Sequence, residues 1–405
     1  MKRRTFLKST GLAGTLGLLK PGFSWAMGNT ANNGNILVTV FLGGGADGLS
    51  IVAPVGEGSY HDLRPTLALQ TPGSGVNASL DVDGFFAMHP AMSKLHQRFS
   101  QGELAVVQAT GLTNDSHSHF DSQSLMERGI AFEQNIHDGW LNRHLAALSG
   151  EDPVFHAVGL HDSLPRTMAG DYPAISMSSI EDFGLDLGGA QEQTLENTLS
   201  ALYNKTSLLD IEAAKAIAAM AELRTANPQE HEPANGAVYP DTNFGQRFRQ
   251  LGQLIRSDLG LASASLALNG WDHHDNEAQA LPGLLRELSD TLDAFATDMG
   301  TDMNRITVVT MSEFGRRAFE NSSAGCDHGY GSFMLAMGGG VLGGQVYGEW
   351  PGLAPKDLVF SGDLNITTDY RTVLAELLRK RFEQNDFQQV FPGWVPSQEL
   401  DLFVS

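Results

Sequence analysis

The sequence predicts a doubly wound α/β fold, a mostly parallel sheet with helices on both faces. Three observations carry this. Short apolar runs without polar alternation recur along the chain, as expected of strands buried on both faces. Stretches with apolar residues three and four apart lie between them. Glycines and ionisable groups gather where the apolar runs stop.

The strand candidates are Ile36 to Leu42, Leu104 to Ala109, Leu261 to Leu268, Ile306 to Met311 and Phe333 to Met337. Each is too short for a buried helix and most are bounded by glycine or a polar turn. Helical spacing predicts Ala91 to Phe99 after His89-Pro90, and Ser122 to Arg128 after Asp121. It also predicts Leu195 to Leu223 with a break near Lys205-Thr206, Phe248 to Leu259 and Leu284 to Met299. Thr368 to Arg381 closes the set, capped by Thr367 or Thr368. Gln70 to Val82, Ser163 to Gly189 and Ala226 to Asp241 are rich in Gly, Pro, Ser and acids and read as surface insertions.

The chain of 405 residues opens with MKRRTFLKSTGLAGTLGLLKPGFSWA, a basic start, a short apolar stretch and a small-x-small end at Ser24-Trp25-Ala26. Arg3-Arg4 followed by Thr5, Phe6, Leu7 and Lys8 resembles the twin-arginine export address. Residues 1–26 are therefore expected to be a signal peptide, and 27–405 one α/β domain with insertions. The expected location is periplasmic or secreted, with the twin-arginine translocase as export partner and no stable membrane anchor. The formal net charge is −21, which argues against nucleic acid as partner. One cysteine, Cys326, leaves no intramolecular disulfide.

In an open parallel sheet ligands sit beyond the carboxyl ends of the strands. Four ionisable clusters fall there: GGGADG with Asp47, TGLTNDSHSHFD, NGWDHHDNE, and the stretch from Glu313 to His328. Acids and histidines converging in this way point to a metal, because unpaired carboxylates repel one another. Asp47 reads as a ligand or as a turn residue beside glycines. Asp272 and His274, two apart, face the same way in extended chain and read as a ligand pair or a hydrogen-bonded pair, with His273 opposite. Asp327 and His328 read as a ligand with its orienting carboxylate or as two ligands. Ser118, where a strand hands over to a helix, reads as a nucleophile or as an N-cap. Arg316 would hold a sulfate or phosphate in a bidentate way, or would neutralise Glu313 or Glu320. His89 reads as a helix-entry residue, and Cys326 as an incidental small residue rather than a thiolate ligand.

GGGADGLS, YHDLRPTLAL, SHFDSQSLMERG, GWDHH, SEFGRR with the later GCDHG, and GGQVYGEWPGL together resemble the bacterial domain-of-unknown-function 1501 family over nearly all of the mature chain. The chain also resembles a branch of the alkaline phosphatase and sulfatase superfamily. That resemblance implies metal ligands at Asp47, Asp272, His274 and His328 and a nucleophile at Ser118. It places Glu313 where the superfamily has a strand-end Asp-His, here without the histidine. Asp327, beside His328, completes the expected ligand set.

The expected function is an exported hydrolase of phosphate or sulfate esters, of small molecules or polysaccharides. Its cofactor would be a divalent metal: zinc, calcium, magnesium or manganese. A secreted binding protein that keeps the fold and one structural metal is the alternative, and sequence leaves catalytic activity itself open.

Overall fold

The computed structural model describes residues 34–73, 75, 77–148, 153–183, 189–203, 208–396 and 398–405. The expected signal peptide and its twin-arginine motif lie outside the described residues.

Nine strands form one sheet: β1 (Ile36–Gly43), β2 (Leu104–Gly111), β3 (Ala157–Gly159), β4 (Ile175–Ser176), β5 (Ser263–Asn269), β6 (Ile306–Met311), β7 (Ser332–Gly338), β8 (Val346–Tyr347) and β9 (Thr368–Asp369). Their order is β8-β2-β7-β6-β1-β5-β3-β4, with β9 pairing β2. Every pairing is parallel except those of β7, which runs antiparallel to β2 and to β6. The fold is α/β with a mixed, mostly parallel sheet. The five apolar runs all fall on strands, with ends within two residues of the expected ones.

Alternate side chains of β1 enter two different cores, which is why the run shows no polar alternation. Ile36, Val38, Val40 and Leu42 join one core with α2 (Ser93–Ser100), α5 (Asn243–Arg256) and α6 (Glu277–Met299). Leu37 and Phe41 join the other with α3 (His119–Arg128), α4 (Trp140–Ala147) and α7 (Tyr370–Phe382). Helices thus cover both faces.

Local chemistry moved several helix ends. Helix α3 begins at His119, three residues before the expected start, because the Ser118 side chain accepts a hydrogen bond from the Asp121 N–H and caps it. Helix α7 is capped by Asp369, not by Thr367 or Thr368, since the Asp369 carboxylate accepts from the Arg371 N–H. Thr368 lies instead in β9. Helix α6 starts at Glu277 and runs through Pro282, which stands in its second turn and leaves little of the backbone ladder to break.

The carboxyl ends of β1, β2, β5 and β6 share one edge, and β7 starts from that edge because it runs the other way. A short helix, α1 (Gly48–Ile51), follows β1 there.

Candidate metal centre

Close backbone packing sets the loops at this edge. Gly44 has φ +123°, and a Cβ there would lie 2.7 Å from the Asp272 backbone nitrogen. Gly315 touches the Gly331 carbonyl, where a Cβ would stand at 1.9 Å. Only glycine lets the β1, β5 and β6 loops approach so nearly. The Gly44 N–H is already used, donating to Glu313 Oε1 at 2.8 Å.

Three imidazoles and one carboxylate meet above these loops. Asp272 Oδ1 lies 3.0 Å from His274 Nε2, 3.2 Å from His328 Nε2 and 3.4 Å from His119 Nε2. The Nε2 atoms of His274 and His328 are themselves 3.0 Å apart. Each ring is held from behind through Nδ1. His119 Nδ1 donates to Glu313 Oε1 at 2.7 Å, His274 Nδ1 to Asp327 Oδ1 at 3.0 Å, and His328 Nδ1 to the His117 carbonyl at 2.8 Å. Those partners accept only, so the proton of each neutral ring is on Nδ1 and each Nε2 offers a lone pair.

Lone pairs that face one another at 3.0–3.4 Å repel unless positive charge lies between them. Ligands about 2.0–2.1 Å from a tetrahedral zinc ion stand about 3.3 Å from one another. His119, Asp272 and His328 each offer an atom within 4.8 Å of the others, close enough to share a cation, while Arg316 Nη2 brings positive charge to Asp272 Oδ1 at 2.6 Å. His119 Nε2 is also buried without a hydrogen-bond partner, as an atom reserved for such a cation would be. The residues fit a divalent metal. Phe314 floors the centre, its ring centroid 4.8 Å from those of His119 and of His328.

Charge at the site follows from these contacts. Burial alone would raise the Asp272 carboxyl, but its hydrogen bond to Arg316 and the Arg316 charge hold it at about 2. The hydrogen bond from His119 to Glu313 raises the His119 imidazole, whereas burial lowers that of His328. A metal at this centre would therefore compete with a proton more on His119 than on His328.

The structure brings Asp272, His274 and His328 together and adds His119, which the sequence reading did not single out as a ligand. Its signal was present in the repeated histidine of Ser116-His117-Ser118-His119, at a strand-to-helix junction. His273 stands outside the group, its carbonyl accepting from the Cys326 N–H.

Four other expected site residues have different positions. Glu313 stands behind His119, 2% exposed, and orients that ring rather than facing the convergence point. Asp327 does the same for His274. Arg316 is 1% exposed and is spent on the protein: Nε on the Gly45 carbonyl, Nη1 on the Cys326 carbonyl, and Nη2 on the Gly44 carbonyl and Asp272. It ties three loops together and is not free to grip an anion. Ser118 serves as the N-cap of α3.

Asp47 belongs to a second cluster. Arg64, wholly buried, donates to both Asp47 oxygens, and Ser50 adds a third bond. Glu277 and Cys326 complete this group; it and the trio His119, Asp272 and His328 are the two sets among the described residues that could hold a metal ion. Burial pushes Asp47 up, but the Arg64 guanidinium overcomes this and holds it below the usual carboxylate range. Burial, with Asp47 beside it, pushes Glu277 up to about 8. Burial also raises the Cys326 thiol well above its ordinary range. This cluster has its cation in Arg64, and the proton held by Glu277 near neutral pH spares it a second negative charge. Its chemistry fits that ion pair better than a metal.

The family model described as "Protein of unknown function (DUF1501)" matches residues 35–392. No curated protein matches the chain. Among solved structures it is similar to the alkaline phosphatase of the Antarctic bacterium TAB5, at 11% identity and a TM-score of 0.34, over 87% of this chain and 100% of that one. A single-substitution variant of that enzyme with magnesium bound in its M3 site is similar at 10% identity and TM-score 0.31, over 76% and 91% of the two chains. Superposition at this level is loose, and the centre described above stands on this chain's own residues.

Proposed function

We propose for this chain, which belongs to the DUF1501 family, a divalent-metal-dependent hydrolase of phosphate or sulfate esters, exported by the twin-arginine route. The single observation that carries the metal is the convergence of His119, His274 and His328 Nε2 on Asp272 Oδ1. Three imidazoles with one carboxylate suit zinc or a similar transition ion better than calcium or magnesium, which prefer oxygen.

His119, Asp272, His274 and His328 would hold the cation, while Glu313, Asp327 and the His117 carbonyl keep the rings aligned. When bound, such a cation polarises an ester oxygen as a Lewis acid and lowers the pKa of water. Half-exposed Asp272 and His274 leave the centre open to solvent and substrate. Arg317, a third exposed and paired with Asp363, would meet an anionic ester in the role first expected of Arg316.

Elemental analysis of the purified protein, with p-nitrophenyl phosphate and p-nitrophenyl sulfate as substrates, tests this. One bound transition ion and ester hydrolysis abolished by His328→Ala support the reading; a chain that takes up no metal ends it. Metal uptake without turnover of either ester would favour the second reading, a secreted binding protein with one structural metal. The observation on that side is Arg316, whose hydrogen bonds all go to the protein. Export is tested separately: Arg3→Lys with Arg4→Lys should leave the protein in the cytoplasm, and unchanged periplasmic recovery would remove the twin-arginine route.

A further inference from the structure

A hairpin turn near the metal centre is built from residues that turns of its kind avoid. Val359 and Asp363 pair through backbone hydrogen bonds of 3.0 and 2.8 Å, and the Gly362 N–H donates to the Val359 carbonyl at 3.0 Å. Between them stand Phe360 at φ +45° and Ser361 at φ +63°. Two consecutive positive φ values are the type I′ pattern, which Asn-Gly or Gly-Gly normally occupies. A bulky aromatic residue there is a conformational outlier, and such outliers cluster at functional sites.

Backbone pairing fixes this turn against the centre. Its root, Asp363, bridges to Arg317, and the neighbouring Arg316 bridges to His328 of the imidazole group. The Ala318 N–H also donates to the Gly362 carbonyl at 2.8 Å. From the turn, the Phe360 ring meets His117 at 6.3 Å and Tyr330 at 5.1 Å between centroids. His117 holds His328 through its carbonyl and reaches Asp363 Oδ2 through Nε2 at 2.9 Å. Phe360 is thus separated from His328 by one residue, His117.

Packing does not account for this residue. A phenylalanine kept for the core is enclosed, as Phe314 is at 3% exposed, yet Phe360 leaves 48% of its surface in water. Both of its ring contacts are T-shaped, with planes at 89°, so much of the ring stays open near the centre. Arg317, a third exposed, lies on the strand segment that anchors the turn. An open aromatic ring close to a cation centre suits an anion carried on a flat, apolar group. The anion would point to the cation and the group would lie against the ring.

We propose that Phe360 is a specificity-determining residue of this centre, its exposed ring stacking on a flat, apolar group carried by the bound ester, so that an aryl ester is preferred to an alkyl one. The anion is that of the hydrolase proposed above, on which this role rests. Anions that cannot be hydrolysed test it without turnover. Phenylphosphonate and methylphosphonate, with benzenesulfonate and methanesulfonate as the sulfate-like pair, are titrated calorimetrically into zinc-loaded full-length protein. In at least one pair the aryl member should bind about tenfold more tightly. Phe360→Ala should erase that preference and leave the affinity for the methyl member unchanged. A second variant separates ligand contact from packing: Phe360→Asn with Ser361→Gly restores the usual turn pair. It should lose the aryl preference while its melting temperature rises. Equal affinity within both pairs, or an aryl preference kept in both variants, would overturn the role of Phe360 and leave the metal centre standing. A double variant that melts below wild type would mean that packing keeps Phe360 in the turn, and would also overturn it. If zinc binds and none of the four anions does, the ester reading and the role of Phe360 fall together.

Discussion

The segments after β5 and β6 each contribute to two clusters with different electrostatic solutions. Above them, His119, Asp272, His274 and His328 gather lone pairs in a half-exposed group whose backs are held by hydrogen bonds. Below, Asp47, Glu277 and Cys326 are 0–3% exposed around Arg64. Neighbouring residues are divided between them: Asp272 and His274 go up while Glu277 goes down, and His328 goes up while Cys326 goes down. The difference teaches that a concentration of acids and histidines at strand ends need not be one site. Arg64 neutralises the buried half, whereas in the open half Arg316 reaches Asp272 and leaves His119 and His328 to an exchangeable cation.

Four changes would break or sharpen that contrast. The largest effect should come from Arg64→Met, which strands Asp47 beside Glu277 with no counter-charge. Breaking a buried pair from one side costs about 3–5 kcal/mol, so urea denaturation should show a large loss with or without metal. A loss that added metal repairs would mean that the lower cluster is a metal site after all.

Next is Asp272→Asn or His274→Ala. Metal that binds only the folded chain stabilises it by about 2.7 kcal/mol at a hundred times its dissociation constant. Both variants should melt like the metal-stripped wild type and gain little when zinc is added, whereas His273→Ala should respond as wild type does. Equal responses from all three would undo the assignment of Asp272 and His274 to the centre.

Glu313→Gln comes third. As the group that orients His119, Glu313 should set affinity rather than capacity. Metal affinity should fall about 10–100-fold, with full stoichiometry recovered at saturating metal. Failure to fill the site at saturation would show that Glu313 is itself a ligand. Asp327→Asn should do less, since Asp327 is about half exposed and solvent can replace it.

The smallest effect is a slope in pH. A glutamate in water titrates near 4.5, and burial with Asp47 beside it raises Glu277 to about 8 in the fold. Between these values the folded chain holds a proton that the unfolded chain has released. Stability should therefore fall as pH rises through that window and level off above it. Glu277→Gln should flatten this part of the curve. An unchanged slope would mean that Glu277 is ionised in the fold.

Much of this was legible in the chain. Apolar runs with no alternation must be buried on both faces, so Ile36–Gly43 and Ile306–Met311 declared themselves as interior strands without a partner in view. Strand ends marked by glycine and ionisable residues located the edge where the two clusters gather, and the spacing of Asp272 and His274 put them on one side. What sequence could not supply was which of two neighbours faces which way across a distance of hundreds of residues. Glu313 and His119 are 194 positions apart, and only their meeting at 2.7 Å shows that the acid supports the ring. Arg316 reads as an anion clamp until the Gly44, Gly45 and Cys326 carbonyls are seen to consume it. Arg64, 17 residues from Asp47, carries no local signal of the pairing that takes this aspartate away from the imidazoles. Secondary structure and burial follow from local periodicity and are written in the sequence. The assignment of a charged side chain to ligand, support or ion pair depends on long-range packing, and that the tertiary structure alone decided.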